Sequence, residues 1–318
     1  MKKTDNALNI LTAMTYKGIG KAWVANNLKN KQPIESIVGL LNIKGIDVTL
    51  YSFNEKKDEI RDMLNSLYIQ SEGFEVSAIG DDDFPEFRGN IKASEQPVVL
   101  FYKGNLDLLQ KDNYNTAVIG LLNPTEDIIE RERITVKSLV KQGVTIVSGL
   151  ALGCDSVAHY ETLENNGNTI AILPSPLNNV LPKSNLPLAR EILHNNGLLI
   201  TEYHTNISSR YELSARYIER DRLQALYSDC VILSASYAEN NEGNDSGSRH
   251  AMAKAKEYGI KRVVIYDEKK DINNPMFDLS RKLIRKDFDI RIINTDNDVD
   301  DLLKVIYNSS KEQQMRLF

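Results

Sequence analysis

Cysteine is scarce. The 318-residue chain has two, Cys154 and Cys230, far apart and without metal-ligand spacing. That excludes a disulfide framework and a thiolate metal site, and it fits a reducing cytoplasmic setting. No apolar run approaches the roughly 20 residues needed to cross a bilayer, so no membrane contact is expected. The opening MKKTDNALNI is basic but has neither an apolar stretch nor a small-residue cleavage site, so no secretory signal is expected. An excess of positive charge is also missing: Asp and Glu outnumber Lys and Arg by 44 to 39, a formal charge of −5. A surface that grips any polyanion is thereby excluded, although a local basic groove is not. Gly-x-Ser-x-Gly, a Walker A sequence and any metal-spaced His/Cys cluster are absent, so neither an enzyme, a metal nor a cofactor is expected.

What is present is a beat. From about Thr116 the runs TAVIGLL, VTIVSGL, TIAILP, LLITEY, CVILSAS, RVVIYD and IRIIN recur, separated by segments with helical apolar spacing such as ERERITVKSLVKQG and SRHAMAKAKEYG. Short Val/Ile-rich runs without polar alternation describe strands buried on both faces. Strand–helix repetition predicts an α/β, Rossmann-like, doubly wound and mainly parallel sheet over residues 111–308. Residues 1–75 predict a small helical domain, 76–110 a connecting segment with PVVLFYKG as a strand, and 309–318 a flexible tail. Within GDDDFPEFRG, the triplet Asp81, Asp82 and Asp83 reads as a solvated turn, because no His or Glu stands at ligand spacing.

Four places could hold a ligand. Lys17-Gly18-Ile19-Gly20-Lys21 joins two short helices, and Lys17, Gly18, Gly20 and Lys21 fit either a helix-hairpin-helix contact with DNA phosphates or a plain structural turn. SGLALGCDSVAH, from Ser148, ends a strand in small residues and opens a helix. Gly149 and Gly153 permit close backbone approach, Asp155 complements exposed amides, and His159 lies one turn on. A capped helix with a hydrogen-bonded core histidine has the same pattern. Arg220 and Arg222 flank Asp221 on a helix and could donate to successive phosphates, or form a surface ion-pair cluster. Finally, Ser246, Gly247, Ser248 and Arg249 form a glycine-containing turn before a helix, a setting suited to phosphate. The cations Lys254, Lys256, Lys261 and Arg262 beyond it read mostly as a solvated helix face.

The SGLA element with its glycine, acid and Ala-His pair resembles the DNA-processing protein A family (DprA, also called Smf). DFPEFRGNIKASEQPVVLFYKGN upstream, and GNTIAILPSPLNNVLPKSNLPLAREILHNNGLLITEY with its Pro-x-x-Asn loop downstream, are similar to that family too. The resemblance implies a protein that binds single-stranded DNA, forms a homodimer through its Rossmann domain and hands the strand to a RecA-type recombinase during DNA uptake. It assigns the DNA- or phosphate-binding role to Ser148, Gly149, Gly153, Asp155, His159, Arg220, Arg222 and the turn from Ser246 to Arg249. The departures are specific. Gly120-Leu121-Leu122 stands where the family has Gly-Ser-Arg, Asp221 where it has Asn, and Pro174-Ser175-Pro176 replaces a glycine-rich turn. Such losses of phosphate contacts leave open an alternative role: an antitoxin partner of a toxin enzyme, or a sensor of a nucleotide-derived ligand, in a defence module. The ending Gln314-Met315-Arg316-Leu317-Phe318 resembles the Gln-x-x-Leu-Phe peptides that dock into sliding clamps. Gln314, Leu317 and Phe318 would be its anchors, unless the two apolar residues fold back onto the domain.

Overall fold

In the computed structural model, residues 4–238 and 247–294 are described, with Val299, Asp301, Leu303 and Lys304. Four helices come first: α1 (Asp5–Met14), α2 (Lys21–Asn27), α3 (Ile34–Ile43) and α4 (Leu50–Gln70). Strands β1 (Glu75–Ala78) and β2 (Val99–Gly104) follow. Strand and helix then alternate through β3 (Asn115–Ile119), α5 (Glu126–Lys141), β4 (Thr145–Ser148), α6 (Cys154–Glu164), β5 (Thr169–Ile172), α7 (Leu186–His194) and β6 (Leu198–Thr201). The described elements close with α8 (Arg210–Leu226), β7 (Cys230–Leu233), α9 (Ser248–Tyr258), β8 (Lys261–Ile265), α10 (Glu268–Asp271), α11 (Asp278–Lys286) and β9 (Ile290–Ile293).

The nine strands form one sheet in the order β1-β2-β6-β5-β4-β3-β7-β8-β9. Every pairing from β6 to β9 is parallel, while β1–β2 and β2–β6 are antiparallel. The expected parallel α/β sheet is therefore present. The antiparallel edge and the strand β1, which straddles residues 75 and 76, had no counterpart in the sequence reading. From β3 the chain steps outward through β4, β5 and β6, then returns through α8 to place β7 on the other side of β3. This reversal opens a crevice beyond the carboxyl ends of β3, β4 and β7.

Period-two geometry divides the core. Val118, Ile146, Ile232 and Val263 face Val136 and Leu139 of α5 and Ala158 of α6. Ala117, Ile119, Val147, Val231 and Val264 face Leu223 and Leu226 of α8 and Ala251, Met252 and Ala255 of α9. Towards the β1–β2 edge, α7 and α1–α4 share one apolar cluster with Phe101, Ala171 and Leu199.

Two polar anchors differ from the sequence reading, and a third, Arg88, had none. Asp81 is buried, accepts from Thr4 Oγ1 at 2.7 Å and from the Ala78 amide at 2.9 Å, and so fixes the start of α1 onto β1 instead of standing in solvent. Arg262 lies on β8, fully buried between Asp287 and Asp289, not on a solvated helix face. Arg88, also buried, fastens the loop after β1: it donates to Asp229 at 3.0 Å and to the carbonyls of Tyr227, Gln110 and Asn113. Asp229 in turn accepts from the Asn115 amide at the start of β3, at 2.9 Å. Replacing Arg88 strands those acceptors, so Arg88→Ala should lower unfolding free energy by about 3 kcal/mol in a urea titration. A change below about 0.5 kcal/mol would contradict the anchoring role.

Candidate nucleic-acid interface

At the crevice lies a cavity of about 350 Å³, lined by residues of all four surrounding segments. Ile119, Gly120 and Leu122 come from the end of β3, Ala151, Leu152 and Asp155 from the β4–α6 turn, and Gly247 and Ser248 from the start of α9. Tyr217, Arg220, Asp221 and Gln224 of α8 complete the wall, with Pro182 at the rim. Their spacing of three, four and seven residues places the α8 group on one helix face.

The turn SGLALGCDSVAH is shaped around Asp155. Its Oδ2 accepts from the amides of Gly149 at 3.1 Å and Ala151 at 3.3 Å. Gly153 has φ +73°, and a Cβ there would stand 2.2 Å from the Leu121 carbonyl oxygen, so only glycine closes the turn. At Gly149 the constraint is a side chain: a Cβ would sit 1.3 Å from Nη1 of Arg220. The missing methyl is what lets that guanidinium enter. Leu150 takes a positive φ of 57°, held from outside by Asn185, whose Nδ2 donates to the Leu150 carbonyl at 2.8 Å and the Ala151 carbonyl at 3.1 Å. Asn185 closes the Pro182–Asn185 stretch and was not singled out from sequence; the Pro-x-x-Asn spacing was its signal.

Arg220 is buried between carboxylates. Its Nη1 stands 3.9 Å from Asp155 Oδ2 and its Nε 3.5 Å from Asp221 Oδ1, and no described atom accepts a hydrogen bond from Nε. With its amide oxygen turned inward, Gln224 accepts from Arg220 Nη1 at 2.9 Å and from the Gly149 amide at 3.0 Å. Burial pushes the Asp221 carboxyl up to about 7, with Arg220 opposing the shift and Asp155 adding to it. Burial also raises Asp155 against the pull of Arg220. Beneath the turn, α5 contributes Glu132, fully enclosed and pushed by burial up to about 8.

The remaining sequence candidates separate. Arg222 points away from the cavity: it is buried, pairs with Glu202 at 2.7 and 2.9 Å, and donates from Nε to the Glu95 carbonyl. Side chains two apart on a helix diverge, so Arg220 and Arg222 do not form the expected paired phosphate clamp. His159 is a core histidine: fully buried, with Nδ1 2.6 Å from Thr169 Oγ1, and held by burial at about 3. Ser148 spends its hydroxyl on the Val118 carbonyl at 2.7 Å. Ser248 donates to the Gly120 carbonyl at 3.0 Å while lining the cavity, and Arg249 is not among the lining residues. Pro174, Ser175 and Pro176 are buried away from the cavity. Lys254 pairs with Glu95 and Glu257, and Lys256 with Asp287.

In the hairpin, Lys17, Gly18 and Gly20 are exposed, but Lys21 is tied to Glu202 at 3.2 Å and to Glu219. A lysine so engaged serves as a strut from α2 to the sheet domain. Ser246 and the peptide of Gln314, Leu317 and Phe318 lie outside the described residues. Among the described residues, no helix is long and apolar enough to cross a membrane.

A family model described as DNA recombination-mediator protein A matches residues 75–303. The chain belongs to that family. DNA recombination-mediator protein A relatives include Protein Smf of Borreliella burgdorferi, 28% identical over 172 residues that cover 54% of this chain and 52% of the relative. The DNA processing protein DprA of Streptococcus pneumoniae is 36% identical over 130 residues, 41% of this chain and 44% of the relative. The chain spans about half the length of these curated relatives. The solved structure of the S. pneumoniae DprA aligns over 94% of this chain and 98% of that one, with 25% identity and a TM-score of 0.68. That of Helicobacter pylori DNA processing protein A, described for its single-stranded DNA binding mode, aligns over 73% and 97% with 26% identity and a TM-score of 0.56.

Two outcomes test this geometry. Gly149→Ala should expel Arg220 and cost roughly 2 kcal/mol in unfolding free energy, as overpacking of a filled site does; an unchanged urea midpoint would contradict the close fit. For Asp221, a folded pKa raised to about 7 gives stability that is full below its unfolded value near 3.8 and lost as pH rises through 7. Asp221→Asn should therefore unfold at higher urea than the parent at pH 8, by on the order of 2 kcal/mol, with the difference vanishing towards pH 4. A constant difference across that range would refute the buried-acid assignment.

Proposed function

We propose that this protein binds single-stranded DNA in DNA processing and recombination, with the switch-point cavity as one of its contacts to the strand. The family match over residues 75–303 carries the reading. It is supported by the H. pylori relative described for single-stranded DNA binding, and by the cavity's place where open α/β sheets receive ligands. Delivery of the strand to a RecA-type recombinase and assembly as a homodimer belong to the same proposal, as does a division into residues 1–75, 76–110 and 111–308. A clamp contact through Gln314, Leu317 and Phe318 rests on the sequence resemblance alone. The proposed role is to hold the polymer, and the polar side chains lining the cavity are those of Asp155, Tyr217, Arg220, Asp221, Gln224 and Ser248.

One observation favours a second reading, sensing of a small nucleotide-derived ligand: the single cavity arginine is already flanked by two carboxylates. Fluorescence anisotropy with a labelled mixed-sequence oligodeoxynucleotide separates the two. Binding at about 50 mM salt is expected, with a shallow salt dependence of roughly 0.7 in log–log slope per phosphate contacted. No binding at that salt would overturn the DNA reading and favour the sensor.

A further inference from the structure

Although the chain carries a formal charge of −5, one edge of its sheet is basic. Lys282, Arg285 and Lys286 of α11 and Arg291 of β9 are all exposed and join no ion pair among the described residues. Leu279, Leu283 and Ile284 pack α11 against the apolar cluster of α8 and α9. Residues 282, 285 and 286, three and four apart, therefore share its outward face. The acids of this stretch are engaged elsewhere. Asp278 pairs with Arg281, and both Asp287 and Asp289 turn inward to the buried guanidinium of Arg262, at 2.8 and 3.1 Å. Lys256 adds a second cation to Asp287.

That double tether decides where Phe288 goes. The backbone at Asp287 is extended, with φ −122° and ψ 114°, so successive side chains take opposite sides. With the residues before and after it drawn into the protein, Phe288 is turned out, and its ring is fully exposed. The anchors thus hold an aromatic face in water where an unrestrained loop would fold it back. Strand β9 pairs with β8 alone at the edge of the sheet, and Ile292 on it is half-exposed. Because β7, β8 and β9 are parallel, Phe288 lies at the amino ends of the strands, opposite the crevice. None of these residues lines the cavity.

A fully exposed ring beside unpaired cations matches a ligand that offers both aromatic faces and negative charge. Single-stranded nucleic acid does so, whereas the bases of a duplex are already stacked on one another. A second copy of this chain fits poorly. A two-fold contact would bring the same cations of both copies together, and they repel. A foreign protein would need a wider apolar centre than Phe288 and Ile292 supply. We propose that the α11–β9 edge is a second contact for single-stranded DNA, where one base stacks on Phe288 and Lys282, Arg285 and Lys286 hold the adjoining phosphates. Arg291 extends the positive surface along the edge strand. The proposal rests on the single-stranded DNA reading for its ligand and adds a site remote from the crevice.

Anisotropy of a labelled mixed-sequence oligodeoxynucleotide with the full chain, over a salt series, tests it. Phe288→Ala should weaken binding roughly tenfold, the effect of losing one stacked base. Joint replacement by Lys282→Gln, Arg285→Gln and Lys286→Gln should lower the log–log salt slope by about 2, at roughly 0.7 per phosphate released. All four side chains are exposed, so the circular dichroism spectrum and urea midpoint should stay parental. A second readout bears on the ring itself. Trp23, half-buried in α2, is the chain's single tryptophan, so the indole introduced by Phe288→Trp should show quenching by the oligonucleotide that the parent lacks. If the parent binds and the Phe288→Ala and triple variants match it, the edge contact is overturned and the DNA reading stands. An indole that the bound oligonucleotide leaves unquenched overturns it likewise. A parent that binds no oligonucleotide removes both. Variants that lose self-association in sedimentation while keeping parental DNA affinity would make this edge a face between copies, and that too overturns the proposal.

Discussion

The crevice end of the sheet depends on a buried carboxylate being satisfied from three sides. Asp155 holds the amides of Gly149 and Ala151 and stands opposite Arg220, so the β4–α6 turn, the end of β4 and the inward face of α8 are fixed by one group. The methyl missing at residue 149 is equally part of that arrangement, since the guanidinium occupies the space a side chain would fill. Asn185 reaches from the next loop to secure the same turn at Leu150 and Ala151. Parts far apart in the chain thus converge on a few ångströms of polar geometry at the strand ends.

That geometry changes what the crevice can hold. A helix N-terminus and a glycine turn are usually read as an anion cradle because their amides are free. Here an internal acid has taken the amides, and a second acid, Asp221, shares the arginine. The site keeps the place of a phosphate receptor and loses its charge. Leu122 and Leu152 remain exposed at the mouth, beside a polar interior in which Arg220 Nε makes no hydrogen bond among the described residues and stands 3.5 Å from Asp221.

Much of the architecture could be read from the sequence. Buried parallel strands have a repetitive composition, and each of the seven apolar runs after Thr116 contains one strand of the sheet. The SGLALGCDSVAH turn was also legible, since Gly149, Gly153 and Asp155 have local reasons to stand where they do. What failed was anything decided by a distant partner. Arg222 looks like the twin of Arg220 until Glu202, 20 residues earlier, is brought beside it. For His159 the spacing left a ligand-side imidazole and a hydrogen-bonded core histidine both open, and only Thr169 and the closed core around it decide for the second. Lys21 reads as a hairpin contact or part of a plain turn and Asp81 as part of a solvated turn, because their partners, Glu202 for one and Thr4 with the Ala78 amide for the other, are set by tertiary packing that local spacing does not encode.

Glu202 has a further consequence. It is almost entirely enclosed, and it receives Lys21 from the helical hairpin on one side and Arg222 from α8 on the other. Removing that carboxylate would leave the buried Arg222 guanidinium uncompensated, while Lys21 would keep Glu219. The hairpin and α8, some 200 positions apart in the chain, are thereby tied through one carboxylate. The amino-terminal helices are thus fastened to the helix that walls the crevice, although none of their described residues lines it.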